Sequence, residues 1–326
     1  MRRSLVAALS AAALLLLAAC GEGDDDAGGG GTDSATGSSE TQSITVGVIP
    51  IVDVAPIYLG VEQGFFEQRG LDVTLQTAQG GAAIVPAVIA GEFDFGFSNI
   101  TSLLIAQTQG LPLKVVAAGD STTGKEGEDF AAVVVPEGSA ITGPADLAGK
   151  TVAVNTLNNI GTTTISKVVD DAGGDASTIN FVELPFPDMP AALAEGRIEA
   201  AWGLEPFLTI MRNQGATPVT WNYAETDPNL VIAAYFTTQQ KLDEDPELVE
   251  AFTEAMNESL QYAQDNPDAA REVLGSYTQI DPAVAEALIL PRWPTEIDAA
   301  AVQLLADLAE QDGLVDTAPD VEALLP

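Results

Sequence analysis

From Ile44 onward, short β-branched runs alternate with amphipathic stretches in two successive blocks, and the chain then ends in helical segments. This alternation restricts the fold more than any other feature, because strands and helices in turn pack as sheets covered by helices, an α/β architecture. In the first block, Ile44–Pro50 reads as a strand ended by proline and Ala55–Phe66 as a helix with Ile57, Leu59, Val61 and Phe65 at helical spacing. Leu71–Thr77 alternates as a second strand, Gly80 and Gly81 break it, and Ala82–Ala90 forms a short helix closed by Gly91. Phe93, Phe95 and Phe97 recur with period two, so one strand face carries three rings, expected as core, while Asp94, Gly96 and Ser98 take the other. Ser102–Gln109 and Leu113–Ala118 add a helix and a strand.

The second block starts after the extended run Ala131–Val135. Thr151–Val154 is a strand, the polar loop Asn155–Asn159 follows, and Gly161 to Thr164 opens a helix to about Asp171. Phe181–Leu184, Asp188–Glu195, Ile198–Trp202 and Thr217–Trp221 continue as strand, helix, strand and strand. Leu230–Thr237 is again extended, and helices are predicted over Pro246–Asn266, Pro267–Ser276, Pro282–Leu290 and Asp298–Gln311. Asp245, Asn266, Asp281 and Thr295 are their expected caps, with Pro at the first helical position of three of them. A lobe interrupted by a second lobe and completed by C-terminal helices needs two hinge crossings, expected at Ala131–Val135 and Val231–Thr237. The expected division is lobe 1 over 44–133, lobe 2 over 134–230, and completion of lobe 1 over 231–326.

The N-terminus has a different character. Arg2 and Arg3 precede an apolar run, Leu5–Ala19, that reads as a secretory signal and is too short for a stable membrane span. Leu17-Ala18-Ala19-Cys20 followed by Gly21 resembles the lipobox of bacterial lipoproteins, which makes Cys20, the only cysteine, the expected acylation point; an ordinary cleavage site is the alternative. Residues 21–43 hold no large apolar side chain and read as a disordered tether.

The net charge of −36 argues against nucleic acid or an anionic membrane surface as partner, leaving membrane attachment to the lipid alone. The chain has no histidine, which excludes Ser-His-Asp and Cys-His catalysis and His-ligated zinc; carboxylate-only chemistry stays open. No phosphate-binding loop, dinucleotide fingerprint or EF-hand spacing is present, and no cofactor or metal is implied.

In open α/β sheets ligands bind beyond the carboxyl ends of strands, so the candidate contacts are the loops that follow them. In the first lobe these are Val52–Tyr58, Gln79 to Gly81, Ser98-Asn99 and Asp120-Ser121. In the second they are Asn155, Asn158, Gly161 to Thr164, Pro185–Asp188 and Gly203–Glu205. Gly80 and Gly81 are either a flexible turn or backbone donors for an anion. Thr162, Thr163 and Thr164 are either capping residues or a cradle for a sulfonate, carboxylate or phosphate. Ser98 and Asn99 are equally a structural turn or ligand contacts, and Glu205 a ligand partner, a lobe-closing partner or a solvated turn residue. Asp188 and Asn158 complete the expected set, and Asp53 and Glu205 together with the threonines suit a ligand with one cationic and one anionic or aromatic end.

Four segments in order carry a family resemblance: Val48–Tyr58 with Gly64–Leu71, Gly91–Phe97, Asp146–Val154, and Ala200–Trp202 with Glu205–Phe207. On these the mature chain resembles the substrate-binding proteins of nitrate/sulfonate/taurine-type ABC transporters, the SsuA/THI5-like (NMT1-like) group. The resemblance implies a two-lobed periplasmic-binding-protein type II fold, capture of a small-molecule solute, an ABC transporter permease as partner, a monomer, and a site on the extracytoplasmic face of the membrane. It also implies that Asp53 and Tyr58, in the first-strand loop, line the cleft. The same fold family includes a pyrimidine-forming enzyme that uses histidine, which this chain lacks. A sensor or partner-recognition module uncoupled from transport, and a thiamine-pyrimidine-type binder within the same family, are the other readings.

Overall fold

The computed structural model describes residues 41–326, so the expected signal segment, Cys20 and residues 21–40 of the expected tether lie outside the described residues. The tether expected to reach Ser43 ends sooner, because β1 (Gln42–Val48) already pairs at Gln42, opposite Leu71. After it come α1 (Ala55–Glu62), β2 (Leu71–Thr77), α2 (Gly81–Ile89), β3 (Phe95–Asn99), α3 (Ile100–Thr108) and β4 (Leu113–Ser121). The second block contains β5 (Ala131–Val135), β6 (Thr151–Val154), α4 (Ile160–Asp171), β7 (Asn180–Glu183), α5 (Met189–Ala194), β8 (Ala200–Leu204), α6 (Phe207–Asn213), β9 (Thr217–Thr220) and α7 (Asn222–Thr226). The chain closes with β10 (Val231–Thr238), α8 (Gln239–Glu244), α9 (Pro246–Asp265), α10 (Pro267–Tyr277), α11 (Pro282–Ala287), α12 (Ala299–Gln311) and α13 (Val321–Leu324).

Two five-stranded sheets result, in the orders β2-β1-β3-β10-β4 and β7-β6-β8-β5-β9, giving the expected two-lobed α/β architecture. In each sheet one strand is antiparallel to its neighbours: β10 between β3 and β4, and β5 between β8 and β9. The reason is topological. A chain that leaves one sheet at a strand's carboxyl end and enters the next sheet at the matching edge has to run back through it against the other strands. Both carboxyl edges are thereby turned toward the crossings. Ala131–Val135 and Val231–Thr237, expected as the crossings, are interior strands, each flanked by a neighbour on both sides. The chain crosses in the segments that precede them, 122–130 and 227–230. The division expected at residue 133 therefore falls inside β5, all of whose pairing lies in the second sheet.

Phe95 and Phe97 are buried as expected, and Phe95 stacks on Phe252 of α9 at 3.8 Å between ring centres. Phe93 precedes the strand and is half-buried. Asp245 and Asp281 cap α9 and α11 through Leu248 N and Ala283 N. Asn266 turns its side chain back to Tyr262 O instead of capping α10, and Asp298, not Thr295, caps α12. Arg292 ties the two crossings together: its backbone bridges to Ser121, its Nε donates to Thr122 O (2.6 Å) and its guanidinium donates to Pro228 O (3.0 Å).

Candidate functional site

Asp53 follows β1, Gln79 follows β2, Ser98 and Asn99 end β3, and Asp120 lies at the end of β4, so all occupy the carboxyl edge of the first sheet. Across from them stand Asn155 after β6, Glu205 after β8 and Tyr223 after β9, with Phe130 just before β5. Several contacts hold the two edges together. Gln79 Nε2 donates to Asn155 O (3.1 Å) and Asn155 Nδ2 donates to Gln79 O (3.3 Å). Val52 N donates to Glu205 O (3.0 Å), and Ile289 N to Glu205 Oε1 (3.3 Å). Gly80 lies so close to the opposing loop that a Cβ there would stand 2.9 Å from Thr156 Cγ2 and 3.0 Å from Asn155 Nδ2.

Behind this seam lies a group of buried polar atoms without hydrogen-bond partners among the described residues: Asp53 Oδ1, both carboxyl oxygens of Asp120, the hydroxyls of Tyr223 and Tyr235, and Trp202 Nε1. Asp53 and Asp120 are 2% and 1% exposed, and both tyrosines are fully buried. Burial raises the proton affinity of both carboxyls, and their mutual proximity raises that of Asp120 further. The hydroxyls of Tyr223 and Tyr235 are held above the usual phenol range by burial and then by these same carboxylates. Asp129, in the first crossing, is satisfied: it accepts from Thr122 Oγ1, Thr123 N (3.0 Å) and Phe130 N (3.0 Å). None of the ion pairs among the described residues involves Asp53, Asp120, Asp129 or Glu205. Rings surround the group, with Phe130 5.5 Å and Trp202 5.9 Å from Tyr223, and Phe97 5.2 Å from Tyr235. Trp293 Nε1 donates to Asp53 O (3.2 Å) and fixes the turn that carries the carboxyl.

An open groove of about 270 Å³ runs along the seam, walled by Ile49, Ile51 and Gln79 on one side and Pro185, Phe186 and Phe207 on the other. Its wall at Ile51 is two residues from Asp53. Tyr58 is half-buried, stacks on Tyr277 at 3.9 Å, and burial pushes its hydroxyl up to about 12.

The remaining expected site residues have other work. Gly81 packs against Ser98, whose hydroxyl donates to Asn99 O (3.3 Å), and Asn99 caps α3 through Ser102 N (2.9 Å). The expected anion cradle at α4 is occupied by its own cap. Asn159 Oδ1 accepts from Gly161 N and Thr162 N, Thr162 Oγ1 donates to Asn159 O (2.8 Å), and Thr164 Oγ1 donates to Ile160 O (2.7 Å) while accepting from Asn222 Nδ2. Thr163 is fully buried and its hydroxyl has no hydrogen-bond partner among the described residues. Gly161 lets this first turn lie directly on the Trp202 ring. Asn158 and Asp188 are exposed. Glu205 is buried and its carboxyl accepts from Thr209 N, Thr209 Oγ1 and Ile289 N, so it serves lobe closure; burial pushes it up to about 7. Tyr223, Tyr235 and Trp202 were not among the expected contacts. The available signal was a polar-tipped aromatic in an otherwise apolar central strand, Tyr235 in β10 and Trp202 in β8, where the polar tip needs a partner.

Comparison with known proteins agrees with this architecture. A formylaminopyrimidine-binding protein of Halalkalibacterium halodurans is 23% identical over 250 residues, covering 74% of this chain and 72% of its own. The taurine-binding periplasmic protein of Escherichia coli is 22% identical over 230 residues, covering 70% and 69%. The structure of the alkanesulfonate-binding protein SsuA from Xanthomonas axonopodis pv. citri, bound to MOPS, superposes with a TM-score of 0.75 at 20% identity, covering 88% of this chain and 99% of its own; this shows the periplasmic-binding-protein fold. The sequence model of the family described as NMT1/THI5 like matches residues 51–270, well over half of the chain. The chain thus belongs to the NMT1/THI5-like family.

Proposed function

We propose that the protein is a solute-binding component of an ABC import system, closing two lobes over a small molecule without transforming it. The observation that carries the proposal is the group of buried, unpartnered polar atoms drawn from both sheets, at edges that the crossings turn toward each other. Each such atom costs free energy until it meets a donor or acceptor, and a solute between the lobes supplies them. The family relatives named for formylaminopyrimidine and taurine binding support the same reading. Arg292, bonded to both crossings, is suited to hold the hinge on which the lobes turn. In this proposal Cys20 carries the lipid anchor that keeps the protein on the extracytoplasmic face, and the closed form is what a permease engages.

A thermal-shift screen of the full chain against amines, amidines, aminoheterocycles, amino acids, sulfonates and nitrate tests the proposal. A saturable rise in Tm, with the solute recovered chemically unchanged by mass spectrometry, is the expected result. Turnover of a bound solute would overturn the reading of binding alone.

A further inference from the structure

Resting on the reading of the interlobe seam as a solute site, we infer that the solute is a small organic cation with at least two N–H donors, an ammonium or amidinium. Three observations point there. The unpartnered acceptors are carboxyl oxygens, both of Asp120 and one of Asp53, and no Lys or Arg is ion-paired to either residue. The hydroxyls of Tyr223 and Tyr235, fully buried and without partners, lie in the field of the same two carboxylates, so polar atoms from both sheets converge on one place. The rings of Phe130, Tyr223 and Trp202, packed together beside this group, have faces that attract a cation.

A sulfonate, nitrate or carboxylate placed here would meet two buried carboxyls and no compensating cation. The helix terminus best suited to take its charge, that of α4, is already closed by Asn159, Thr162 and Thr164. The geometry does not suit a bare metal ion either. Asp129, the third nearby carboxylate, is held by Thr122, Thr123 and Phe130, and among the described residues no three acidic side chains are arranged as ligands. A cation with N–H groups fits instead: its donors meet the carboxyl oxygens, its charge favours their ionised form, and a proton that burial holds on them leaves to solvent.

The test is calorimetric titration of the full chain with benzamidine, putrescine, taurine, ethanesulfonate and nitrate, each in two buffers of different ionisation enthalpy. Benzamidine or putrescine is expected to bind saturably with proton release, and Asp120→Asn is expected to weaken it roughly 10- to 100-fold, the worth of a charge-assisted hydrogen bond. Proton release is read on the unaltered chain, so the inference stays testable even if the variant folds poorly. Saturable binding of taurine, ethanesulfonate or nitrate without either cation would overturn the cation assignment and leave solute binding standing. Binding of a cation with no proton release and no response to Asp120→Asn or Asp53→Asn would remove the carboxyl pair from the site. Binding by no member of the panel would overturn both readings.

Discussion

Asp53→Asn should make the unliganded protein more stable at pH 8 and leave it unchanged at pH 5. In the folded chain Asp53 rises from the ordinary 3.8 to about 7, and Asp120 rises as well. Between those values the folded state holds more protons than the unfolded state, so stability is lost as pH rises through the window. For Asp53, fully buried, that rise corresponds to at most about 4 kcal/mol by pH 8. An asparagine at 53 cannot ionise, so this cost is absent from the variant at every pH. Asp120, Glu205 and Asp312 are raised too and contribute the same sign; Glu205 and Asp312 cancel in the comparison, and losing the Asp53 charge eases Asp120 in the same direction. Asp129 cancels likewise, and the phenols of Tyr58, Tyr223, Tyr235 and Tyr277, all raised, stay neutral across the window. At about 2 °C per kcal/mol for a chain of this size, the variant should melt up to roughly 8 °C above the unaltered protein at pH 8 and within about 2 °C of it at pH 5. Differential scanning calorimetry of both full chains at the two pH values measures this. A variant that melts lower by the same amount at both would refute the argument, because it would show an ionised Asp53 making a contact that stabilises the fold.

Gly80→Ala places a methyl against Thr156 and Asn155 and should hold the seam open, weakening solute binding roughly tenfold while leaving Tm without solute within about 2 °C; titration and melting of the variant measure both. Thr162→Val breaks the capping box of α4 and should cost about 1 kcal/mol of stability in denaturant unfolding without altering solute affinity, and a loss of affinity would return the threonines to the site.

Periodicity and helix-start chemistry made most of the fold legible before any coordinates. The strand at Leu71–Thr77 and the starts at Pro246, Pro267 and Pro282 stand where proline, acidic caps and alternation put them. The crossings were harder to place, because an all-apolar run such as Ala131–Val135 is equally compatible with a connector and a central strand. Only the pairing partners β8 and β9 decide between these. At the site, Asp53 and the Gly80 to Asn155 seam follow from the rule that ligands lie beyond strand ends. Tyr223 does not, since nothing in its segment marks it, and Tyr235 shows only as a polar-tipped ring in an apolar strand, whose neighbours at the tip become apparent once the lobes are folded together. The threonine triplet was ambiguous for a physical reason: hydroxyls at a helix start suit an anion and a cap equally, and Asn159, just ahead of them, makes a capping box with Thr162.

The energies at the seam explain why such a protein would stay poised until solute arrives. Four hydrogen bonds join the opposed edges, two between Gln79 and Asn155 and two to Glu205, from Val52 and Ile289. Between neutral groups each is worth about 1 kcal/mol net, roughly 4 kcal/mol together. Against them stands the cost of keeping Asp53 and Asp120 out of water, which for Asp53 at neutral pH is of the same size. The seam bonds and the burial cost therefore oppose each other. A cation that pairs with both carboxyls removes the opposing cost while leaving the four bonds in place, so a small differential interaction produces a large shift in population. The same balance explains why the donors at the seam are neutral amides rather than lysines or arginines. A fixed cation there would pair with the carboxyls itself, and closure would no longer depend on what occupies the cleft.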